Sequence, residues 1–198
     1  MFFRYFLPAC LLVCLFTTFF WRSYVVWKKT GIIPFTFKNS DTAHDFVGRV
    51  FKLTFALLVL VVLVYALSPV AYAYLIPIRW LEHPSLQWIG VVFLIFSLVW
   101  TIIAQAQMGE AWRIGIDTEH RTPLVQKGLY LVSRNPIYVG VVVTLSGLFL
   151  NIPNALTLLI LIVGVIVIGV QVRLEEEHVG KMYPREYAEY CQRVRRWL

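Results

Sequence analysis

The chain has 198 residues, of which 59% are hydrophobic and 15% charged, and its mean hydropathy is +0.71. A soluble domain is only about half apolar and about a quarter charged, so this composition excludes an ordinary water-soluble fold. The formal net charge is +7. The basic residues lie between and beside apolar runs, as in membrane proteins, and we expect no nucleic-acid partner.

The three cysteines do not form a recognisable pattern. Cys10 and Cys14 lie in the first apolar run and Cys191 lies in the tail, and the sequence has no CxxC pair and no His cluster at metal spacing. We therefore expect neither a disulfide framework nor a zinc site.

Five apolar runs follow one another along the chain. Crossing about 30 Å of hydrocarbon takes about 20 helical residues, so the second, third and fifth runs qualify easily and the other two more narrowly. We predict an all-α integral membrane fold with about five transmembrane helices in one domain, residues 1–198. Residues 1–108 would hold three spans, and residues 109–198 a loop, a hairpin and a C-terminal helix. The runs are about Tyr5 to Trp21, Val50 to Ile78, Leu86 to Met108, Leu131 to Leu150 and Pro153 to Val172.

The first run is compatible with a signal peptide or with a retained membrane anchor. A signal peptide needs small residues at its cleavage site, whereas the segment from Thr17 to Tyr24 is bulky and aromatic. We expect an anchor.

The last part of the chain is predicted to form a tight helical hairpin followed by an amphipathic helix. Only Asn151, Ile152 and Pro153 separate the last two runs, which leaves almost no loop. In the tail, apolar residues recur at alternating spacings of four and three, which is typical of a helix with one apolar face. Pro184 suits the first helical position, and Glu189 is expected to pair with Arg193. Such a helix lies along the membrane surface or closes over a cytoplasmic pocket. The apolar residues are Tyr183, Tyr187, Tyr190, Val194 and Trp197.

The distribution of Lys and Arg predicts the orientation. Residues 22–52 contain six, residues 109–135 four and residues 173–198 six, whereas Arg4 and Arg79 are the only others. With five spans, the three basic segments share one face, sixteen positive charges against two. Because cytoplasmic loops carry the excess of positive charge, we expect the N-terminus outside and the C-terminus in the cytoplasm.

Polar residues gather in two segments, Gly128–Gly140 and Arg173–His178. In an antiparallel hairpin the start of the first helix and the end of the second are neighbours, so these segments are predicted to converge. Each residue also has a structural explanation: Arg134 can reach the headgroups, Asn135 and Pro136 can start a helix, and Arg173 can pair with Glu177. Three adjacent glutamates near a helix C-terminus oppose the helix dipole, so we expect compensation by Arg134, Arg173 or a bound ligand.

These two segments resemble the isoprenylcysteine carboxyl methyltransferase family. Gly128-x-Tyr130 followed by Arg134-Asn135-Pro136-x-Tyr138-x-Gly140 is similar to its G-x-Y-x-x-x-R-H-P-x-Y-x-G signature. Glu175-Glu176-x-x-Val179-x-x-x-Tyr183-x-x-x-Tyr187-x-x-Tyr190 is similar to its E-E-x-x-L-x-x-x-F-G-x-x-Y-x-x-Y ending. The resemblance covers roughly residues 109–197, and the three N-terminal spans match only in hydrophobic character.

The resemblance implies a membrane enzyme that binds S-adenosylmethionine in a cytoplasmic pocket and methylates a lipophilic or lipidated acceptor from the bilayer. Aromatic rings would face the sulfonium, helix-start amides and an Asn would receive polar groups, and a Glu would balance positive charge. The implied cofactor-binding residues are Leu124, Val125, Tyr130, Asn135, Pro136, Ile137, Tyr138 and Glu175.

Two departures from the family pattern bear on the acceptor. The family's His before Pro is Asn135, which cannot titrate, so general-base chemistry is not expected there. The family's Arg, one helical turn before the first Glu, orients the substrate carboxylate, and its position is Gln171. Arg173 is two residues from Glu175 and points roughly to the other side of the helix. Either Arg134 or Arg173 takes over this catalytic role, or the acceptor is not a carboxylate.

From the resemblance, the acceptor is expected to be an isoprenylcysteine-like carboxylate, with a phospholipid amine or another lipophilic small molecule as the alternatives. Membrane sterol reductases resemble the same C-terminal region but bind NADPH, and the lack of a diphosphate-sized basic cluster argues against them. A non-enzymatic membrane scaffold would leave both polar segments unexplained.

Overall fold

The computed structural model describes residues 2–37, 40–117, 120 and 122–198, and in that part of the chain the regular secondary structure is entirely helical, without any strand of a sheet. The prediction of an all-α fold is confirmed. Lys38 and Arg121, two of the sixteen charges used to predict the orientation, lie outside the described residues.

The first long helix is continuous from residue 2 to residue 30. It consists of α1 (Phe2–Leu15), a π-helical segment (Phe16–Trp21) and α2 (Arg22–Thr30), and it ends where Gly31 adopts the left-handed conformation. Leu7 joins the hydrophobic core against α3 (Ala43–Leu67). The first apolar run is therefore packed into the fold.

The second apolar run does not form one helix as predicted. Helix α3 ends at Leu67, because Ser68 is extended and its side chain caps the short α4 (Pro69–Ala73). Proline disfavours helical backbone in the residue before it, which explains the break at Ser68. Helix α5 (Pro84–Met108) is the third span.

The closing hairpin consists of α6 (Pro136–Asn151) and α7 (Ala155–Met182). Helix α7 begins with a capping box in which the Asn154 side chain accepts from the Thr157 amide and Thr157 accepts from the Asn154 amide. Ile78 donates from its amide to Pro153 O at 2.8 Å, which ties the turn to the preceding loop. The predicted tight hairpin is confirmed.

Within the described residues, four helices are long and apolar enough to cross a membrane: Phe2–Thr30, Ala43–Leu67, Pro84–Ala111 and Ala155–Met182. The fifth apolar helix, α6, has only 16 residues and begins five positions later than the predicted Leu131. The reason is that residues 128–131 form a separate 3-10 turn and Pro136 starts the helix.

Helix α6 packs between α5 and α7. Gly140 lies at a close approach of α6 to α5, where an added Cβ would collide with Thr101 Oγ1. The Trp100 indole on α5 donates to Pro136 O at 2.8 Å and fixes the start of α6. Gly140 and Pro136, two residues of the sequence motif, therefore fix the position of α6 against α5.

The tail forms α8 (Pro184–Arg193), with Pro184 at its start as predicted. The predicted apolar face of this helix is too long, because Val194 and Trp197 lie beyond the end of α8. The predicted Glu189–Arg193 pair is wrong: Glu189 pairs with Arg185 at 3.2 Å, and Arg193 donates to Gln126 Oε1. Within α8 both Arg185 and Arg193 are one turn from Glu189, and only Arg193 can also reach the loop before α6.

Candidate functional site

The two polar segments meet as predicted, and four residues form a group that we name the clamp: Arg134, Asn135, Glu176 and Arg196. Arg134 donates to both carboxylate oxygens of Glu176 at 3.2 Å, Asn135 Nδ2 donates to Oε1 at 2.9 Å, and Arg196 Nε donates to Oε2 at 2.9 Å. The Arg134 and Glu176 side chains are 11% and 10% exposed. Two arginines and an amide thus satisfy one nearly buried carboxylate.

The clamp also fixes the end of the chain to the start of α6. The Arg134 amide donates to Arg195 O at 2.9 Å, and its Nη1 donates to Val194 O at 2.9 Å. Burial lowers the pKa of Arg134, but its hydrogen bonds to the Glu176 carboxylate outweigh burial and raise that pKa above the ordinary value. Arg134 therefore stays charged and remains paired with Glu176.

Asn135 does not act as the side-chain cap that the sequence also allowed. It occupies the N-cap position of α6, but its side chain makes no capping bond and is directed to Glu176 and Arg196 O. Its amide donates to Ser133 Oγ at 3.1 Å.

A second group, which we name the open cluster, consists of Tyr138, Gln171 and Glu175. The Tyr138 hydroxyl and Gln171 Nε2 donate to the same oxygen, Glu175 Oε1, at 2.5 and 2.7 Å. Within the described chain, Glu175 Oε2 accepts no hydrogen bond and no cation pairs with this carboxylate. Gln171 is fully buried, and its own Oε1 has no partner there. Buried polar atoms are normally paired, so the open cluster is suited to binding a ligand.

The C-terminal tyrosines hold the loop before α6. The Tyr190 hydroxyl donates to Tyr130 O at 2.5 Å, and the Tyr183 hydroxyl donates to Thr122 O at 2.7 Å. Burial raises the pKa of Tyr190 to about 12, so its phenol remains a donor. The spaced tyrosines of the sequence motif thus secure both ends of residues 122–130.

Tyr130 itself has a free hydroxyl. The residue is 7% exposed, and its buried oxygen has no hydrogen-bond partner in the described chain. Its pKa is raised, first by burial and then by the charges of Tyr190 and Glu175, while the charge of Arg22 opposes this rise. Tyr130 therefore lies within electrostatic reach of both the open cluster and the first helix.

A cavity of about 540 Å³ lies between the loop and the cytoplasmic ends predicted for the first and third spans. Leu124 and Val125, two predicted cofactor contacts, line it together with the end of α5. Pockets for small molecules commonly have volumes of 300–1,000 Å³. Its charged lining residues are Arg22, Lys29, Glu110 and Lys127.

The other predicted site residues are divided between the two groups and the outer surface. Pro136 is buried and Ile137 half-buried at the start of α6. Arg173 is exposed and donates to Gly169 O one turn back, while α7 stays helical around it. The alternative pairing of Arg173 with Glu177 is not found, because Glu177 pairs with Lys181 at 2.6 Å. The structure thus does not bring Arg173 to the open cluster.

Sequence reasoning did not include Glu176, Arg196 or Arg22 among the site residues. The run of three glutamates was a signal for Glu176, since a compensating cation was expected there. Nothing in the local sequence separates Arg196 or Arg22 from the other basic residues, because their positions depend on contacts 20 and 87 residues away.

Comparison with family models gives a match to the C-terminal half of the chain. The sequence profile of the family described as phospholipid methyltransferase matches residues 85–186, and no curated protein matches the chain. The matched residues include α5, the cavity loop, the open cluster and most of the clamp. Since the match covers more than half of the 198 residues, the protein belongs to the phospholipid methyltransferase family, a family of membrane methyltransferases.

Proposed function

We propose that this protein transfers a methyl group from S-adenosylmethionine to the amine of a phospholipid headgroup. The observation that carries the proposal is the open cluster, in which Glu175 keeps one unpaired carboxylate oxygen and has no cationic partner in the described chain. Such a group favours positively charged ligands. A sulfonium cofactor and the protonated form of an amine acceptor both fit this requirement, and the amine would lose its proton before it attacks the methyl carbon.

The cofactor would lie between the cavity loop and the start of α6. Leu124 and Val125 line the cavity and offer apolar contact for an adenine ring, and half-buried Ile137 at the start of α6 is a further candidate contact. The Tyr130 hydroxyl is an unsatisfied buried hydrogen-bonding group. Glu175 Oε2 would balance positive charge. When bound, S-adenosylmethionine supplies a methyl group activated by the positive sulfur.

The arrangement of arginines argues against a carboxylate acceptor. Arg134 is held by Glu176, Arg173 is exposed on the far side of α7, and Gln171 occupies the position of the family's orienting Arg. A neutral amide supplies neither the charge nor the paired donors with which Arg binds a carboxylate. A carboxylate would also meet the unpaired Glu175 oxygen and be repelled.

Methylation of an isoprenylcysteine carboxylate is the second candidate. It is favoured by the two motifs, Gly128 to Gly140 and Glu175 to Tyr190, that resemble the carboxyl methyltransferases.

The site would face the cytoplasm, with the N-terminus outside. The distribution of sixteen Lys and Arg against two supports this orientation. Reporter fusions after Lys29, Gln126 and Leu198 should all give a cytoplasmic signal. An extracytoplasmic signal from any of them would contradict the proposed topology.

The acceptor can be tested with purified protein, labelled S-adenosylmethionine and either phosphatidylethanolamine or a farnesylcysteine analogue. Calorimetry should first show binding of S-adenosylmethionine and none of NADPH. An amine reacts only in its neutral form, so transfer to phosphatidylethanolamine should rise by roughly tenfold per pH unit below the pKa of the amine. A carboxylate is ionised above about pH 5, so transfer to it would not rise in this way. Efficient, pH-independent methylation of farnesylcysteine alone would overturn the proposal.

A further inference from the structure

Arg22, at the start of α2, carries a charge that nothing in the described chain neutralises. Its Nη2 donates to Gly109 O and its guanidinium lies 5.9 Å from the centre of the Trp112 ring. Its Nε is buried without a hydrogen-bond partner, and none of the described carboxylates pairs with it. Burying a charged donor without a partner is costly, so the geometry is that of a cation prepared for an anionic ligand.

The position of Arg22 places this cation at the proposed site. It lines the same cavity as Leu124 and Val125, and its charge acts on Tyr130, as does that of Glu175. The cavity lining contains three basic residues and one acidic residue, Glu110, which is exposed. The cavity therefore holds an unpaired cation, Arg22, beside the predicted cofactor contacts Leu124 and Val125.

The surroundings of Arg22 also fit the level of lipid headgroups. Trp21, Tyr24 and Trp27, next to it on the first helix, are about half exposed. Exposed Trp and Tyr at the end of a membrane span are typical of the interface between hydrocarbon and water. Lipid phosphates lie at this depth.

We propose that Arg22 binds the phosphate of the acceptor phospholipid while its amine is directed toward the open cluster. This inference rests on the proposed function. A phosphoethanolamine headgroup carries an anion and a cation two carbons apart, which complements the unpaired cation of Arg22 and the unpaired carboxylate oxygen of Glu175. Arg binds phosphate through paired donors. Arg22 lies outside the matched residues 85–186, so the first helix would supply the group that selects phosphate.

The test compares Arg22→Gln and Arg22→Lys with Lys28→Gln in the full chain, purified in an uncharged detergent. Lys28 is on the same helix, is exposed, and does not line the cavity. Thermal unfolding is measured with short-chain phosphatidylethanolamine, with sphingosine as an amine lipid without phosphate, and with farnesylcysteine. Calorimetry gives the Kd for S-adenosylmethionine, and the methyl-transfer assay gives KM.

We expect Arg22→Gln to abolish stabilisation by phosphatidylethanolamine and to raise its KM at least tenfold. Stabilisation by sphingosine and the Kd for S-adenosylmethionine should change less than twofold, and Lys28→Gln should behave as the unmodified protein. Arg22→Lys should show an intermediate KM, because Lys keeps the charge without the paired donors. If Arg22→Gln does not fold, the KM and cofactor Kd of Arg22→Lys decide the question.

Three outcomes would overturn the proposal: weaker binding of S-adenosylmethionine, which would assign Arg22 to the cofactor; loss of stabilisation by farnesylcysteine alone; or unchanged stabilisation by phosphatidylethanolamine. If the unmodified protein binds phosphatidylethanolamine through Arg22 but does not methylate it, the proposed function fails and the phosphate site stands.

Discussion

Glu175 and Glu176 are adjacent in sequence, yet the clamp and the open cluster treat their carboxylates in opposite ways. Glu176 receives hydrogen bonds from Arg134, Asn135 and Arg196 on both oxygens. Glu175 receives bonds from two neutral groups on one oxygen. Consecutive helical side chains point about 100° apart, so Glu176 faces the C-terminal tail and Glu175 faces Tyr138 on α6. The comparison separates a carboxylate that holds the fold together from one available to a ligand.

The clamp gives the largest expected effect. Glu176→Ala removes the partner of a nearly buried arginine, and breaking such a pair costs about 3–5 kcal/mol. We expect the apparent melting temperature in detergent to fall by roughly 6 °C or more. Lys181→Ala, which breaks the exposed pair with Glu177, is the control and should leave it unchanged. A stable Glu176→Ala protein without activity would show that Glu176 belongs to the site instead.

Substitution of Glu175 in the open cluster should change ligand binding and leave the stability of the protein unchanged. Glu175→Gln should weaken the binding of S-adenosylmethionine by about 1.5–3 kcal/mol, the usual loss for a charge-assisted contact. This corresponds to an increase in Kd of roughly tenfold to over a hundredfold. Glu177→Gln is the matched control, because Glu177 is exposed and paired with Lys181. Calorimetry measures both. Equal and small effects would mean that Glu175 is not the ligand-binding carboxylate.

The smallest effect concerns acceptor choice. Gln171→Arg would place beside Glu175 the Arg that the isoprenylcysteine carboxyl methyltransferases have at this position. Methylation of a farnesylcysteine analogue should therefore rise a few fold from a low level. Gln171 is fully buried, so the larger side chain should also lower stability. Arg173→Ala should change the rate little. Efficient methylation by the unmodified protein, unaffected by Gln171→Arg, would place the missing cation elsewhere.

The hairpin and the meeting of its polar ends could be predicted from sequence because both follow from local signals. Asn151, Ile152 and Pro153 leave room only for a tight turn, and an antiparallel pair then brings Asn135 to Glu176 and Tyr138 to Glu175. The apolar runs likewise revealed the helices, although hydropathy alone did not locate their ends at Ser68 and Pro136.

The division of roles between the two glutamates could not be predicted, because it depends on long-range partners. Arg196 reaches Glu176 after the chain turns at Tyr183, and Arg22 reaches Gly109, 87 residues further along the chain. Local spacing also misassigned Glu189, whose two candidate arginines are both one turn away. Arg193 instead binds the Gln126 side chain of the loop, a contact 67 residues away in sequence.

The short α6 affects how the protein sits in the bilayer. At about 1.5 Å per residue its 16 residues extend about 24 Å, less than the roughly 30 Å of a typical hydrocarbon core. A span that is too short is accommodated by local thinning of the membrane around it. The first turn of α6, with Pro136 and Tyr138, would then lie deeper than the surrounding headgroup plane. The deformation would bring the headgroup of a lipid beside this helix closer to the open cluster. The thickness of the bilayer would therefore affect how easily a lipid acceptor reaches the site.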